Sequence, residues 1–173
     1  MADVTFAGMA SNQCLVSDIN PQQGPDGNAS GFSHEFGSGF SLLGKVTSPA
    51  GSATSNGVNF DWTFDQTSGT TGTWSLMTDQ EATFDVVFAM HAGGYGGAFL
   101  FDDQSTVASV LYANTWEINW LDNGSQVLDH SNLTLYVRNV DTVTPIPEPS
   151  TYALMLASLG VVGLMARRRR AAQ

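Results

Sequence analysis

One cysteine, Cys14, stands in 173 residues, so no internal disulfide can form. Nothing near it marks a nucleophile, and it reads as a small buried or semi-buried side chain. Basic residues are almost as scarce. Residues 1–149 hold only Lys45 and Arg138 against all sixteen acidic side chains, a formal charge of −14. Nucleic-acid binding runs through lysine and arginine on phosphates, so that partner class is excluded. A body this acidic is soluble and draws cations. Helical periodicity is missing as well: the body contains no convincing amphipathic helix. The start, Met1-Ala2-Asp3-Val4-Thr5-Phe6, has no basic n-region, apolar h-region or small-residue cleavage site. An exported reading therefore expects a signal peptide upstream of this sequence.

What is present is concentrated at the other end. Pro145 to Pro149 cannot be helical, because proline lacks an N–H and pushes the preceding residue into extended geometry. Tyr152 to Ala166 is uncharged and apolar or small throughout, and Arg167, Arg168, Arg169 and Arg170 follow at once. As a helix this run measures about 22 Å, short of the roughly 30 Å core of a bilayer. It can reach further if Ser150 and Thr151 enter the interface and the arginine stems snorkel. A run apolar on every face lacks the polar stripe of a surface helix. The clustered arginines mark a cytoplasmic flank, which places residues 1–149 outside the cytoplasm. Length and layout together predict a temporary stop in the membrane.

The sequence Pro147-Glu148-Pro149-Ser150-Thr151-Tyr152-Ala153-Leu154-Met155-Leu156, with Gly160, Gly163 and the terminal arginines, resembles a PEP-CTERM sorting domain. That is a C-terminal signal of exopolysaccharide-producing Gram-negative bacteria. The resemblance covers residues 145–170. It implies an integral-membrane exosortase as partner, with Pro147, Glu148 and Pro149 as its recognition residues and Arg167 to Arg170 as the stop-transfer cluster. It also implies an inner-membrane precursor that is later released to the cell surface or medium, with exopolysaccharide as a further possible partner.

The body reads as strands. Val58, Phe60, Trp62 and Phe64 alternate with Asn59, Asp61 and Thr63, the pattern of a half-buried strand. Phe84, Val86, Phe88 and Met90 share one face of Phe84–His91, with Asp85, Val87, Ala89 and His91 on the other. Phe40–Val46, Thr73–Met77, Ala98–Asp102 and Val107–Tyr112 are further candidates. Trp116, Ile118 and Trp120 alternate, as do Leu133, Leu135 and Val137. Gly93–Gly97 and Asp122-Asn123-Gly124-Ser125 are turns, and 17–33 is a long loop. Alternation of this kind belongs to antiparallel sheets with one solvated face. The expected fold is all-β, an antiparallel, jelly-roll-like β-sandwich over 1–141. A Pro-rich linker over 142–151, a single C-terminal transmembrane helix over 152–166 and a basic tail over 167–173 follow it. The alternating aromatics are expected in the core. Leu42–Lys45, Gly72–Trp74, Phe84–Gly93, Phe99–Asp102 and His130–Val137 are also similar to the ectodomain that often precedes such a tail. That likeness implies a β-rich extracellular domain and supplies no activity.

Candidate chemistry in the body is thin. Asp18, Asn20, Asp26 and Asn28 crowd one loop and are the candidate calcium ligands, since calcium takes six to eight oxygens. Their spacing matches no EF-hand, and Asx residues also simply make turns. Asp102-Asp103 is a weaker pair of the same kind. His34, His91 and His130 have no metal-binding spacing. Glu35, Glu81 and Glu117 are the carboxylates from which a glycosidase-type pair would have to come. Glu117, between Trp116 and Ile118, should face solvent. Gly93–Gly97 is not a phosphate loop, because no Lys-Ser/Thr follows it. The expected protein is therefore a non-catalytic envelope or matrix component without a required cofactor. A carbohydrate-binding module, calcium-assisted or not, is the alternative, and a polysaccharide hydrolase is the third reading.

Overall fold

The computed structural model describes residues 4–17, 31–46, 49–121, 126–143 and Ser158. The chain divides into two compact units, Met1–Val143 and Thr144–Gln173, and the following concerns the first. Its elements are β1 (Thr5–Phe6), β2 (Met9–Ala10), β3 (Gln13–Ser17), α1 (Ser33–Phe36), β4 (Ser41–Val46), β5 (Ala50–Ser55), β6 (Val58–Gln66), β7 (Thr71–Thr78), β8 (Ala82–Ala92), β9 (Tyr95–Thr106), β10 (Tyr112–Glu117) and β11 (His130–Thr142). They form a four-stranded sheet ordered β10-β7-β6-β5, a five-stranded sheet ordered β3-β9-β8-β11-β4, and the small β1-β2 hairpin. Every named pairing is antiparallel.

The strict alternation in the sequence is what makes this possible. Val58, Phe60, Trp62 and Phe64 on β6 face Phe84, Val86, Phe88 and Met90 on β8 across one shared core. Phe60 meets Phe84 edge-on at 5.1 Å between ring centres, and Trp74 meets Phe88 at 5.0 Å. Phe6 packs against Trp74, Phe84, Phe101 and Tyr112. Its strand is fastened to β10 by a bridge from Val4 to Trp116. All-β, antiparallel and sandwich-like is thus the architecture. The jelly-roll connectivity is not: β5, β6 and β7 are successive neighbours in one sheet and β8 and β9 in the other. Short hairpins hold sequence neighbours together, where a jelly roll is built from two Greek keys.

The outer face of the five-stranded sheet is not solvated at its centre. Val87, Ala89, Ala98, Leu100 and Tyr136 form a second core with Phe32 and Phe36. The 17–33 loop expected from composition therefore ends in a structured cap: Phe32 and the single helical turn of α1 cover the sheet. Residues 18–30 lie outside the described residues.

Two further expectations change. Val107–Tyr112 is no strand; β9 ends at Thr106 and β10 begins at Tyr112. Ser109 takes a positive φ of 60°, and its N–H bonds the Thr78 carbonyl at 2.7 Å, so the apolar run turns between the two sheets. Cys14 is exposed, because β3 is the edge strand of its sheet. The hairpin expected at Asp122–Ser125 lies outside the described residues. Among those residues no helix is long and apolar enough to cross a membrane. The helix expected over 152–166 falls, apart from Ser158, outside them.

Candidate functional site

The residues singled out for sorting, Pro147, Glu148, Pro149 and Arg167 to Arg170, lie outside the described residues, as do Asp18, Asn20, Asp26 and Asn28. Among the described residues no three His, Cys, Asp or Glu side chains come together to hold a metal ion. The histidines are dispersed. His34 is exposed and lies 3.6 Å from Glu35, His130 bonds the Gly69 carbonyl through Nδ1 at 3.0 Å, and His91 pairs with Ser131.

That last pair needs a chemical reading. His91 Nδ1 lies 2.6 Å from Ser131 Oγ, while Ser131 Oγ donates to the carbonyl of His91 at 3.1 Å. Which of Nδ1 and Oγ donates along the shorter contact depends on the imidazole tautomer. Burial pushes the His91 imidazolium below its ordinary pKa of 6.5. The pair fastens β8 to β11.

The strongest polar cluster takes in Asp102 and Asp103, the weaker carboxylate pair of the sequence, but its centre, Asp85, and its cation, Arg138, carry no sequence signal. Asp85, on the outer face of β8, is 2 % exposed. Its Oδ2 accepts from Arg138 Nε at 2.7 Å and from Asn139 Nδ2 at 2.9 Å, and its Oδ1 accepts from the Asp103 N–H at 2.9 Å. Asp103 and Asn139 both carry a φ of 51° and sit where the β8–β9 and β8–β11 registers slip. Two bulges therefore aim donors at one carboxylate. Arg138 also donates to the carbonyls of Phe36, at 2.5 Å, and Ser38, and its guanidinium lies 4.2 Å above the Phe40 ring. Burial alone would raise the Asp85 pKa; the hydrogen bonds from Arg138, Asp103 and Asp102, with the Arg138 charge, outweigh it and hold the carboxyl below its ordinary 3.8. Asp102, 3.7 Å from Arg138, moves the other way, through burial and then the neighbouring carboxylate of Asp85. The cluster is saturated by its own members and works as a clamp between α1 and the sheet.

A concave surface among the described residues lies elsewhere. Thr67, Thr71, Gly72, Thr73, Thr115, Trp116 and Glu117 line a groove of about 310 Å³. Register creates it: Thr115 stands opposite Thr73, and Glu117 opposite Thr71. These side chains alternate with Gly72 and Trp116, which turn inward. Glu117 faces solvent, as its place between Trp116 and Ile118 indicated. Trp62, Trp74, Trp116 and Trp120 are all buried, at 7, 1, 2 and 9 % exposure, so they are core and not stacking platforms.

Comparison with known proteins assigns the tail. Residues 145–170 match the PEP-CTERM protein-sorting motif. No curated protein and no solved structure matches the chain. The motif implies an exported, membrane-transiting protein recognised by an exosortase.

Proposed function

We propose that this chain, whose tail carries the PEP-CTERM sorting motif, is a non-catalytic component of the cell envelope or extracellular matrix. Its tail halts transfer across the inner membrane and is then processed, and the acidic β-rich body moves on to the cell surface or its polysaccharide. The motif at 145–170 carries the reading. The charge partition supports it, since all sixteen acidic residues precede the apolar run and four of six basic ones follow it. Separation of the two would turn a membrane-held precursor into a strongly acidic soluble protein. The saturated Asp85 cluster favours a structural body over an enzyme. Mass spectrometry of the mature protein from an exosortase-positive host tests the proposal. A C-terminus upstream of the arginines is expected, and its loss in Glu148→Ala. A mature chain still ending at Gln173 would sink the processing step.

The groove on β7 and β10 supports a second reading, a carbohydrate-binding module. Four threonine hydroxyls and one carboxylate suit a hydroxyl-rich ligand. Glycoside hydrolysis needs two carboxylates flanking the bond, and Glu117 is the single carboxylate in the lining. Retardation of the protein in polysaccharide gels, lost on Thr73→Val with Thr115→Val, supports binding here. Equal mobility with and without polysaccharide removes this reading.

A further inference from the structure

Nine large apolar side chains are exposed among the described residues, and three of them, Val107, Val110 and Leu111, fall within one five-residue loop. Scattered exposed aliphatics are ordinary on any protein surface; a run of three on one turn is not. The turn is fixed, not loose. The Val107 N–H donates to the Tyr112 hydroxyl, the Val110 N–H to the Val107 carbonyl, and the Ser109 N–H to the Thr78 carbonyl. These bonds hold the backbone and leave the three side chains pointing outward, Leu111 at 59 % exposure.

The position of this loop gives it a meaning. Thr142 of β11 pairs with Ala82 of β8, and Ala82 pairs with Thr106 of β9. The chain thus leaves the body at Val143 from the same end of the sheet, two strand spacings or about 10 Å from Thr106. Val143 is itself exposed, and its N–H is tied to the Glu81 carbonyl. Only eight residues, 144–151, separate it from the apolar run that opens at Tyr152. Eight residues span at most about 28 Å when fully extended.

We infer that the Val107–Leu111 loop, together with Val143, is a lipid-contacting tip that rests on the bilayer surface while the tail holds the precursor in the membrane. The inference rests on the membrane-held precursor proposed above. Four half-exposed aliphatics would not recruit a free protein to lipid. A short tether changes that, because it raises the local concentration of the tip at the surface into the millimolar range. Asp79, Glu81 and Asp141 are exposed at the same end, so the tip favours zwitterionic over anionic headgroups. Release of the tail removes the tether and with it the contact, and the body then leaves the surface without a separate step.

The full chain in a Cys14→Ser background, labelled with an environment-sensitive fluorophore at Leu111→Cys or at Ser68→Cys, tests this. Ser68 lies in the turn between β6 and β7, at the other end of the strands. Each protein is reconstituted into phosphatidylcholine vesicles with and without spin-labelled lipid, and flotation reports anchoring. The expected result is a blue shift and loss of emission to the lipid quencher at position 111 and neither at 68. Val107→Ser with Val110→Ser should return the position-111 probe toward unquenched emission. Phosphatidylglycerol vesicles should give less quenching. Floating vesicles with an unquenched probe at 111 overturn the tip while leaving the anchored tail intact. Failure to float overturns both. A concentration-dependent blue shift at 111 without lipid would assign the loop to a second copy of the chain and overturn the lipid contact.

Discussion

Arg138 Nε lies 2.7 Å from Asp85 Oδ2, and the same guanidinium reaches back to the Phe36 carbonyl and over the Phe40 ring. One of only two basic residues in the body thus binds the central strand β8 to the segment that caps it. Partner removal from a buried pair leaves an uncompensated charge and costs about 3–5 kcal/mol. Arg138→Ala should lower unfolding stability by about that much, read by urea denaturation. Asp85→Asn with Arg138→Met should be milder than either single change, because it leaves no buried charge alone.

The same cluster sets an acid limit. The Asp85 pKa is lower in the fold than its ordinary 3.8. The unfolded chain therefore takes up a proton first as pH falls. The contribution of Asp85 is complete above pH 3.8 and disappears as pH drops through the folded value. Melting temperature should fall steeply below about pH 4, and the slope should be shallower in Asp85→Asn.

An alkaline limit has the opposite origin. Burial pushes the Tyr136 phenol up to about 12 from 10.0. The unfolded chain then ionises before the folded one, so stability should decline between pH 10 and about 12. Tyr136→Phe should flatten this limb, measured by denaturation at fixed pH.

Phe32 and Phe36 test the cap. Both are buried against the outer face of β8, β9 and β11. Phe32→Ala should cost about 3–5 kcal/mol. Dye binding to the uncovered Val87, Ala89 and Leu100 should rise while far-ultraviolet dichroism stays that of a β protein.

Gly44 and Gly51 test a close approach. A Cβ at Gly44 would sit 2.2 Å from Trp62 Cζ2, and one at Gly51 would sit 2.5 Å from it. Alanine at either position should cost about 1–3 kcal/mol through overpacking. The indole would be displaced, visible as a red shift in tryptophan emission.

Much of the fold is legible in the sequence, and what is not has a physical cause. β6 and β8 announce themselves because large apolar residues must alternate to build a sheet with one core face. β5 does not, since its inward positions are Gly51, Ala53 and Ser55, small enough to admit Trp62. Val107–Leu111 is apolar like a strand, yet its backbone bonds go into a turn, and composition cannot distinguish the two. The Asp85 clamp escapes a linear reading because its donors, Asp103 and Asn139, become neighbours only through two bulges. The sorting tail is legible for the opposite reason: proline, apolar run and arginine act in chain order, with no folding required to assemble them.

β11 runs thirteen residues, lies between β4 and β8, and ends at Thr142, where the tail begins. Strands at a sheet edge open like a zipper, one bond after another. A strand pulled along its own length must shear its ladders, and β11 is held by β8 out to Thr142 and by β4 as well over Leu133–Val137. A pull applied at Thr142 would therefore load an interior strand of the sheet, not an edge strand.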